Sequence, residues 1–360
     1  MITHLELKNF MAFTEVKIDF SPKINVIIGK NGTGKTHLLK AAYFLSGVAP
    51  LFKNNSHISD KELVKELASA LTPELLRLFL PLDAKLNKMR HHGGGAKATL
   101  EAHFAHDQQI AVSFSTRSKS LEIKIKDRNS WEQYQSKPVF FPTKEVLSFM
   151  EGFNSLYQMY QVSFDQTYQD ICLLLDLPQI RPENLHEKSK WAMEELKAIC
   201  GGRFIFYGGG KVTFRTEDSE YSANSIAEGI CKVGMLYRLL ETGALQPGVS
   251  GLLLWDEPES NMNPKLMKSL VTILLELSRN GQQIILATHD YVLLKWFDLL
   301  MDKSKGDHIL FHTLYRDDES GTIKLDSVDN YIGMSPNAIA DTFSDLIKQQ
   351  ANLKMGDLGK

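Results

Sequence analysis

The sequence predicts an α/β protein built on a parallel sheet, on three observations. Residues 24–28, 252–255 and 283–287 are short, nearly continuous apolar runs, the pattern of strands covered on both faces. The first two lead through turns into helix-forming segments at 35–47 and 264–279, so strand and helix alternate. At 360 residues, 43% of them hydrophobic, the chain is long enough to bury a large core without disulfide staples.

Taken in order, Ile2, Leu5 and Leu7, followed by Val16, Ile18 and Phe20, predict strands ahead of the run at 24–28. After the glycine-rich stretch 29–34 come good helix formers, KTHLLKAAYFLSG, closed by Gly47. Residues 51–135 read as an insertion, with a helical piece at 60–80 and then alternating segments at 98–104, 110–114 and 121–125 that predict an antiparallel sheet. A helical region follows over 143–200, broken near Pro178 and Pro182, and the segments 203–207 and 211–215 around Gly208-Gly209-Gly210 predict a hairpin. From Ser225, the residues Ile226, Ile230, Val233, Tyr237 and Leu240 recur at helical spacing and give one buried stripe. The helix at 264–279 has Asn263 placed to cap it and Gly281 to end it, and the tail beyond Arg316 ends in a peripheral helix at 337–353. The expected organisation is a core of 1–50 and 222–315, an inserted β subdomain and helical lobe at 51–221, and a C-terminal helical tail at 316–360. No repeat relates the halves, and no heptad run is long enough for a coiled-coil arm.

Forty-one Lys and Arg against 43 Asp and Glu leave a net charge of -2, which argues against bulk nucleic acid or an anionic membrane as the main partner. Cys172, Cys200 and Cys231 form no CxxC pair, and neither a signal-like run nor a membrane-length apolar stretch occurs, so a cytoplasmic protein without membrane contact is expected.

The chemistry concentrates in three places. Gly29-Lys30-Asn31-Gly32-Thr33-Gly34-Lys35-Thr36 fits GxxxxGK[ST] between a buried strand and a helix. In that setting backbone N–H groups converge on an anion and the helix start adds partial positive charge; Lys35 serves the outer phosphates and the Thr36 hydroxyl a magnesium ion. The run at 252–255 ends in Asp256 and Glu257; consecutive strand residues point to opposite sides, so Asp256 can hold Mg²⁺ while Glu257 activates the attacking water. His289 follows the next strand, on the ligand-binding edge of a parallel sheet, where it can contact the γ-phosphate and sense its loss.

With these residues in view, GKNGTGKT, LLLWDEPESNMNP, ATHD and the opening LKNFMAFTEVKIDFSPKINVIIGKNGTGKTHLL together resemble the ABC-type ATPase heads of the SMC, RecF and OLD-like group, over roughly 1–46 and 222–300. The resemblance implies a P-loop NTPase fold and a homodimer or higher homo-oligomer that holds two ATP molecules head to tail, each phosphate loop completed by the other subunit's signature helix. Ser225-Ile226-Ala227-Glu228-Gly229 then stands as the signature segment, with Gly229 and the helix start in trans contact with an anion. Ala227 fills the family's serine position and has no hydroxyl, for which Ser225 or Asn224 can substitute. Asn261 and Asn263 match the loop that crosses to the partner, and residues 141–145 occupy the place of the magnesium-side linker, without its glutamine.

Other features are weaker. His91-His92-Gly93-Gly94-Gly95 has no GxSxG elbow to serve as an esterase site, and with His103 and His106 it reads as a mobile loop before a metal cluster. Gly208-Gly209-Gly210 precedes a strand, so it is a hairpin turn and not a second phosphate cradle. Arg117, Lys119, Lys124, Lys126 and Arg128 can follow a phosphate backbone, or can be the lysines of an edge strand that deters unwanted pairing. The expected function is a Mg-ATP hydrolase that switches a separately encoded effector, a nuclease or toxin, by resemblance to ATPase subunits of bacterial anti-phage systems. The alternatives are a RecF-like DNA-repair ATPase, which would bind DNA, and a non-hydrolysing ATP-gated scaffold.

Overall fold

The run at 24–28 is enclosed because it lies in the middle of the largest sheet. The computed structural model describes residues 1–133, 137–160, 162–248 and 251–357. The expected domains also include 134–136, 161, 249–250 and 358–360, which lie outside the described residues.

The chain begins with β1 (Ile2–Phe10), β2 (Phe13–Asp19) and β3 (Ile24–Gly29), then α1 (Lys35–Ser46), α2 (Ala49–Asn54) and α3 (Asp60–Phe79). Three further strands, β4 (Lys97–Phe104), β5 (Gln109–Ser115) and β6 (Glu122–Lys126), precede α4 (Arg128–Gln133) and the short β7 (Val139–Phe141). A helical lobe follows, α5 (Phe153–Met159), α6 (Gln166–Leu175) and α7 (Glu187–Cys200), with a small sheet of β8 (Arg203–Phe206), β9 (Val212–Arg215) and β10 (Glu220–Ser222). The final third alternates α8 (Glu228–Glu241), β11 (Leu253–Asp256), α9 (Pro264–Arg279), β12 (Ile284–Ala287), α10 (Tyr291–Leu300), β13 (Ile309–Arg316), β14 (Ile323–Val328) and α11 (Ala338–Asp357).

The large sheet runs β14-β13-β3-β12-β11-β7, parallel throughout except for β14, which pairs antiparallel with β13. Its two faces feed two separate cores, and side chains alternate between them as the pleat requires. Val26, Trp255, Leu286 and Phe311 pack with α8, α9, α10 and the helical lobe, whereas Ile27, Leu254, Ile285 and Leu314 pack with α1, α3 and the antiparallel sheet. That second sheet has the order β2-β1-β4-β5-β6. The helix boundaries follow local chemistry: Gly47 N–H bonds the Tyr43 carbonyl at 3.0 Å to end α1, and the Asn263 carboxamide accepts the Lys265 N–H at 3.0 Å to start α9. The P-loop helix α1 is tied to the helical lobe, with Lys40 Nζ 2.7 Å from Asp165 Oδ2 and the Tyr43 hydroxyl donating to Asp170 Oδ2 at 2.7 Å.

The observed layers cut across the domain limits read from the sequence. β7 lies within 51–221 yet extends the parallel sheet beside β11, and β14 lies within 316–360 yet completes the same sheet. β1 and β2 lie within 1–50 yet belong to the antiparallel sheet with β4, so that sheet is assembled from both sides of α1. A three-residue strand gives too short a pattern to read, and the half-exposed β14 shows little alternation. The helical region at 143–200 is three helices: residues 143–152 form turns, and a further break falls where Asp165 caps α6 by accepting the Thr167 N–H at 2.9 Å. The hairpin at 203–215 forms as expected, with β10 added.

β6 is an edge strand, and Arg128 is committed to Asp60 at 2.7 Å and Glu132 at 2.9 Å, which favours the edge-lysine reading of the basic stretch. His91 Nδ1 lies 3.0 Å from the Met11 carbonyl and His103 pairs with Glu101, and among the described residues no group of three His, Cys, Asp or Glu is placed to hold a metal. Among them, too, no helix is long and apolar enough to cross a membrane. Burial pushes the free thiols of Cys172, Cys200 and Cys231 up to about 12, which leaves them unreactive.

Candidate functional site

Of three neighbouring strands, β12 and β11 end level, Ala287 opposite Asp256, and β3 runs two residues further, Ile27 being opposite Ala287. The segments that leave them are held by main-chain bonds across the sheet edge: Glu257 N–H to the Ala287 carbonyl at 2.9 Å, and Thr288 N–H to the Ile27 carbonyl at 3.0 Å. The phosphate loop, the acidic pair and His289 are therefore brought to one edge by strand register alone.

Gly34 occupies the left-handed region at φ 93°, and a Cβ there would stand 2.6 Å from the Phe13 ring and 3.1 Å from Ala12, so the loop needs glycine on both counts. The side chain of Thr33 closes the loop on the Lys30 carbonyl at 2.8 Å. Lys35 is buried, and its ammonium donates to the Gly29 carbonyl at 2.8 Å and the Lys30 carbonyl at 3.4 Å. Burial lowers its pKa, against the opposing pull of Glu257, Asp256 and Glu259. Gly29, Lys30, Asn31, Gly32 and Thr33 also line one side of a cavity of about 1110 Å³ that reaches His289 and the end of β13.

Asp256 and Glu257 diverge. The Asp256 carboxylate faces α1, accepting from the Thr36 hydroxyl at 2.8 Å and the Thr143 hydroxyl at 3.2 Å. Burial raises its pKa, and the Thr36 hydrogen bond works against that shift. A buried carboxylate and a hydroxyl on adjacent elements form the hard oxygen donor set that suits Mg²⁺, so these residues fit the ion. Glu257 turns the other way through a left-handed φ of 51°, and its Oε1 lies 3.3 Å from His289 Nδ1. The carbonyl of Glu257 accepts from Lys232 Nζ at 3.0 Å; Lys232 is fully buried on α8, which lowers its pKa to about 8.

The signature segment leads into α8, with Ser225 closing a short 3-10 turn and Ala227 at the N-cap position, where it makes no side-chain cap. Glu228 accepts a hydrogen bond from the Asn261 amide of the same chain, and a Cβ on Gly229 would stand 2.6 Å from the Asn261 carbonyl. The structure thus packs Glu228 and Gly229 against the loop after β11, while Asn263 caps α9. Sequence reasoning missed Lys232 and Glu259 as parts of this site, and assigned no individual role to Thr143. Ile226, Ile230 and Tyr237 are only partly buried and α8 is covered on nearly every side, so the one buried stripe expected there is wider than its spacing suggested; a lysine between Cys231 and Val233 was the available signal for the first, and the second carboxylate of DEPE for the next.

Residues 1–196 match the family model described as "AAA ATPase domain", and residues 212–295 match the one described as "AAA domain, putative AbiEii toxin, Type IV TA system". Over 63 residues the chain is 44% identical to the DNA replication and repair protein RecF of Streptococcus pneumoniae, an alignment that covers 18% of this chain and 16% of the relative. The chain thus spans about a sixth of the length of that curated relative. Among solved structures it is similar to the SMC head domain from Thermotoga maritima, with a TM-score of 0.52 at 14% identity over 91% of this chain and 98% of that one. It is likewise similar to an SMC head bound to the C-winged helix domain of ScpA, with a TM-score of 0.56 at 14% identity over 92% and 99% of the two chains. At these identities the likeness establishes the fold, a P-loop NTPase head of the ABC type.

Proposed function

The chain belongs to the AAA ATPase domain family, in its SMC/RecF-like ABC-type form, and from this premise we propose that it hydrolyses Mg-ATP at a dimer interface and uses the cycle as a switch. The observation that carries the reading is the convergence of Lys35, Thr36, Asp256, Glu257 and His289 at one sheet edge, with Thr36 2.8 Å from Asp256 and Glu257 3.3 Å from His289.

Thr36 and Asp256 would hold the magnesium ion, whose chemistry when bound is to neutralise phosphate charge. Backbone N–H groups of residues 29–36 cradle the phosphates, and Lys35 exchanges its loop carbonyls for the outer phosphate oxygens. Glu257 orients the attacking water and takes its proton, and His289 contacts the transferred group. A second copy completes each site through Ser225, Ala227, Glu228 and Gly229 at the start of α8, with Asn261 and Asn263 in the crossing loop. ATP favours the closed pair because both copies touch it, and loss of the γ-phosphate removes that preference. The output passes to a separately encoded partner in the cytoplasm, a nuclease or toxin of an anti-phage system. A RecF-like role in DNA repair is the second reading, favoured by the 44% identical segment; salt-sensitive DNA binding through residues 117–128 distinguishes it.

Glu257→Gln is the test. Steady-state turnover should fall roughly 10²- to 10⁴-fold with ATP affinity retained. Normal turnover in that variant would remove Glu257 as the base.

A further inference from the structure

Glu259 has no task in the reading above, yet it is a buried carboxylate of the site. It is 7% exposed, two residues beyond the left-handed Glu257, in a loop closed by the Ser260 N–H to the Glu257 carbonyl at 3.1 Å and the Met262 N–H to the Glu259 carbonyl at 2.9 Å. These turns carry its side chain to the segment that leaves β12. There its Oε1 accepts the backbone N–H of His289 at 3.0 Å and lies 3.5 Å from His289 Nδ1. Burial raises the Glu259 pKa, and the hydrogen bond from the His289 amide opposes that shift.

The three consecutive amides around His289 are each satisfied differently. Thr288 N–H bonds the Ile27 carbonyl at 3.0 Å, and Asp290 N–H bonds the Thr288 hydroxyl at 3.0 Å. Only the His289 N–H among these depends on a side chain from another element. The imidazole itself is half exposed, so packing alone does not fix it. Glu257 Oε1 stands nearer that ring than Glu259 Oε1, 3.3 Å against 3.5 Å, so the firm contact of Glu259 is with the main-chain N–H.

We infer that Glu259 is a positioning residue for the hydrolytic step: it holds the His289 main chain, and so sets where the imidazole stands beside Glu257. The inference rests on the hydrolytic reading, and its test separates the two. ATP turnover and ATP affinity are measured for wild type, E259A, E259Q, H289A and the double variant E259A/H289A. E259A should lower kcat roughly 10- to 100-fold, the scale of a displaced catalytic group, with KM changed less than about threefold. E259Q keeps an oxygen for the His289 amide and should restore most of that loss. In the H289A background E259A should cost nothing further, because a residue acting through His289 has nothing left to position. Should E259A not fold, E259S runs the same cycle with a side chain too short to reach the amide. A fully active E259A, or losses that multiply in the double variant, overturns the positioning role alone. Absence of turnover in wild type overturns the hydrolytic reading and the positioning role together, whereas a fully active H289A removes the role of His289 and with it the positioning role, and leaves hydrolysis standing.

Discussion

Lys35 spends its charge on the Gly29 and Lys30 carbonyls, which places its ammonium at the mouth of the loop that a triphosphate would fill. Lys35→Ala should therefore abolish nucleotide-dependent self-association, measured by light scattering with and without Mg-ATP; unchanged association would remove the phosphate role. The positions of Lys35, Thr36, Asp256, Glu257 and His289 were legible in the sequence because motif spacing encodes where strand ends fall. Lys232 and Glu259 were not, and the reason is physical. Each bonds a main-chain atom, the Glu257 carbonyl and the His289 N–H, and a backbone partner leaves no mark in residue identity. Thr143 stood in a segment whose place was anticipated, but the bond from its hydroxyl to Asp256 depends on a turn where a helix was expected.

At the level of elements, strands bounded by turn residues were readable, as were capped helices such as α1 and α9. β7 and β14 were not assigned to the large sheet, since three apolar residues or a half-wet edge strand carry little periodicity. β13 lies between the unassigned β14 and the expected β3, and His312 spans both. Its Nδ1 lies 2.7 Å from the Ser327 hydroxyl on β14 and its Nε2 3.2 Å from Asn25 Oδ1 on β3, and complete burial lowers its pKa to about 3. The unfolded chain takes up this proton near pH 6.5 whereas the folded chain does not, so stability present above that pH is lost as pH falls towards 3. Between pH 6.5 and pH 4, His312→Gln should lose less stability than wild type, by on the order of 3 kcal/mol in urea titrations. Equal acid sensitivity of the two proteins would refute this account.

For the molecule as a whole, the layers predict where the chain tolerates shortening. Among the described residues, cutting before 344 takes away side chains at 344–354 that are solvent-exposed, Leu346, Ile347 and Leu353 among them, and should shift Tm by less than about 2 °C. Cutting after 316, at the limit the sequence suggested, strips β14 with its buried Ile323 and bares the edge of β13. That variant should melt at least about 10 °C lower or aggregate, read by calorimetry. The two cores have a further consequence at β3. Val26 and Ile27 are sequence neighbours, yet they face opposite compartments, so this strand is a party wall. Damage repaired from the α9 and α10 side and damage repaired from the α1 side belong to separate households, and a change that cures one leaves the other untouched.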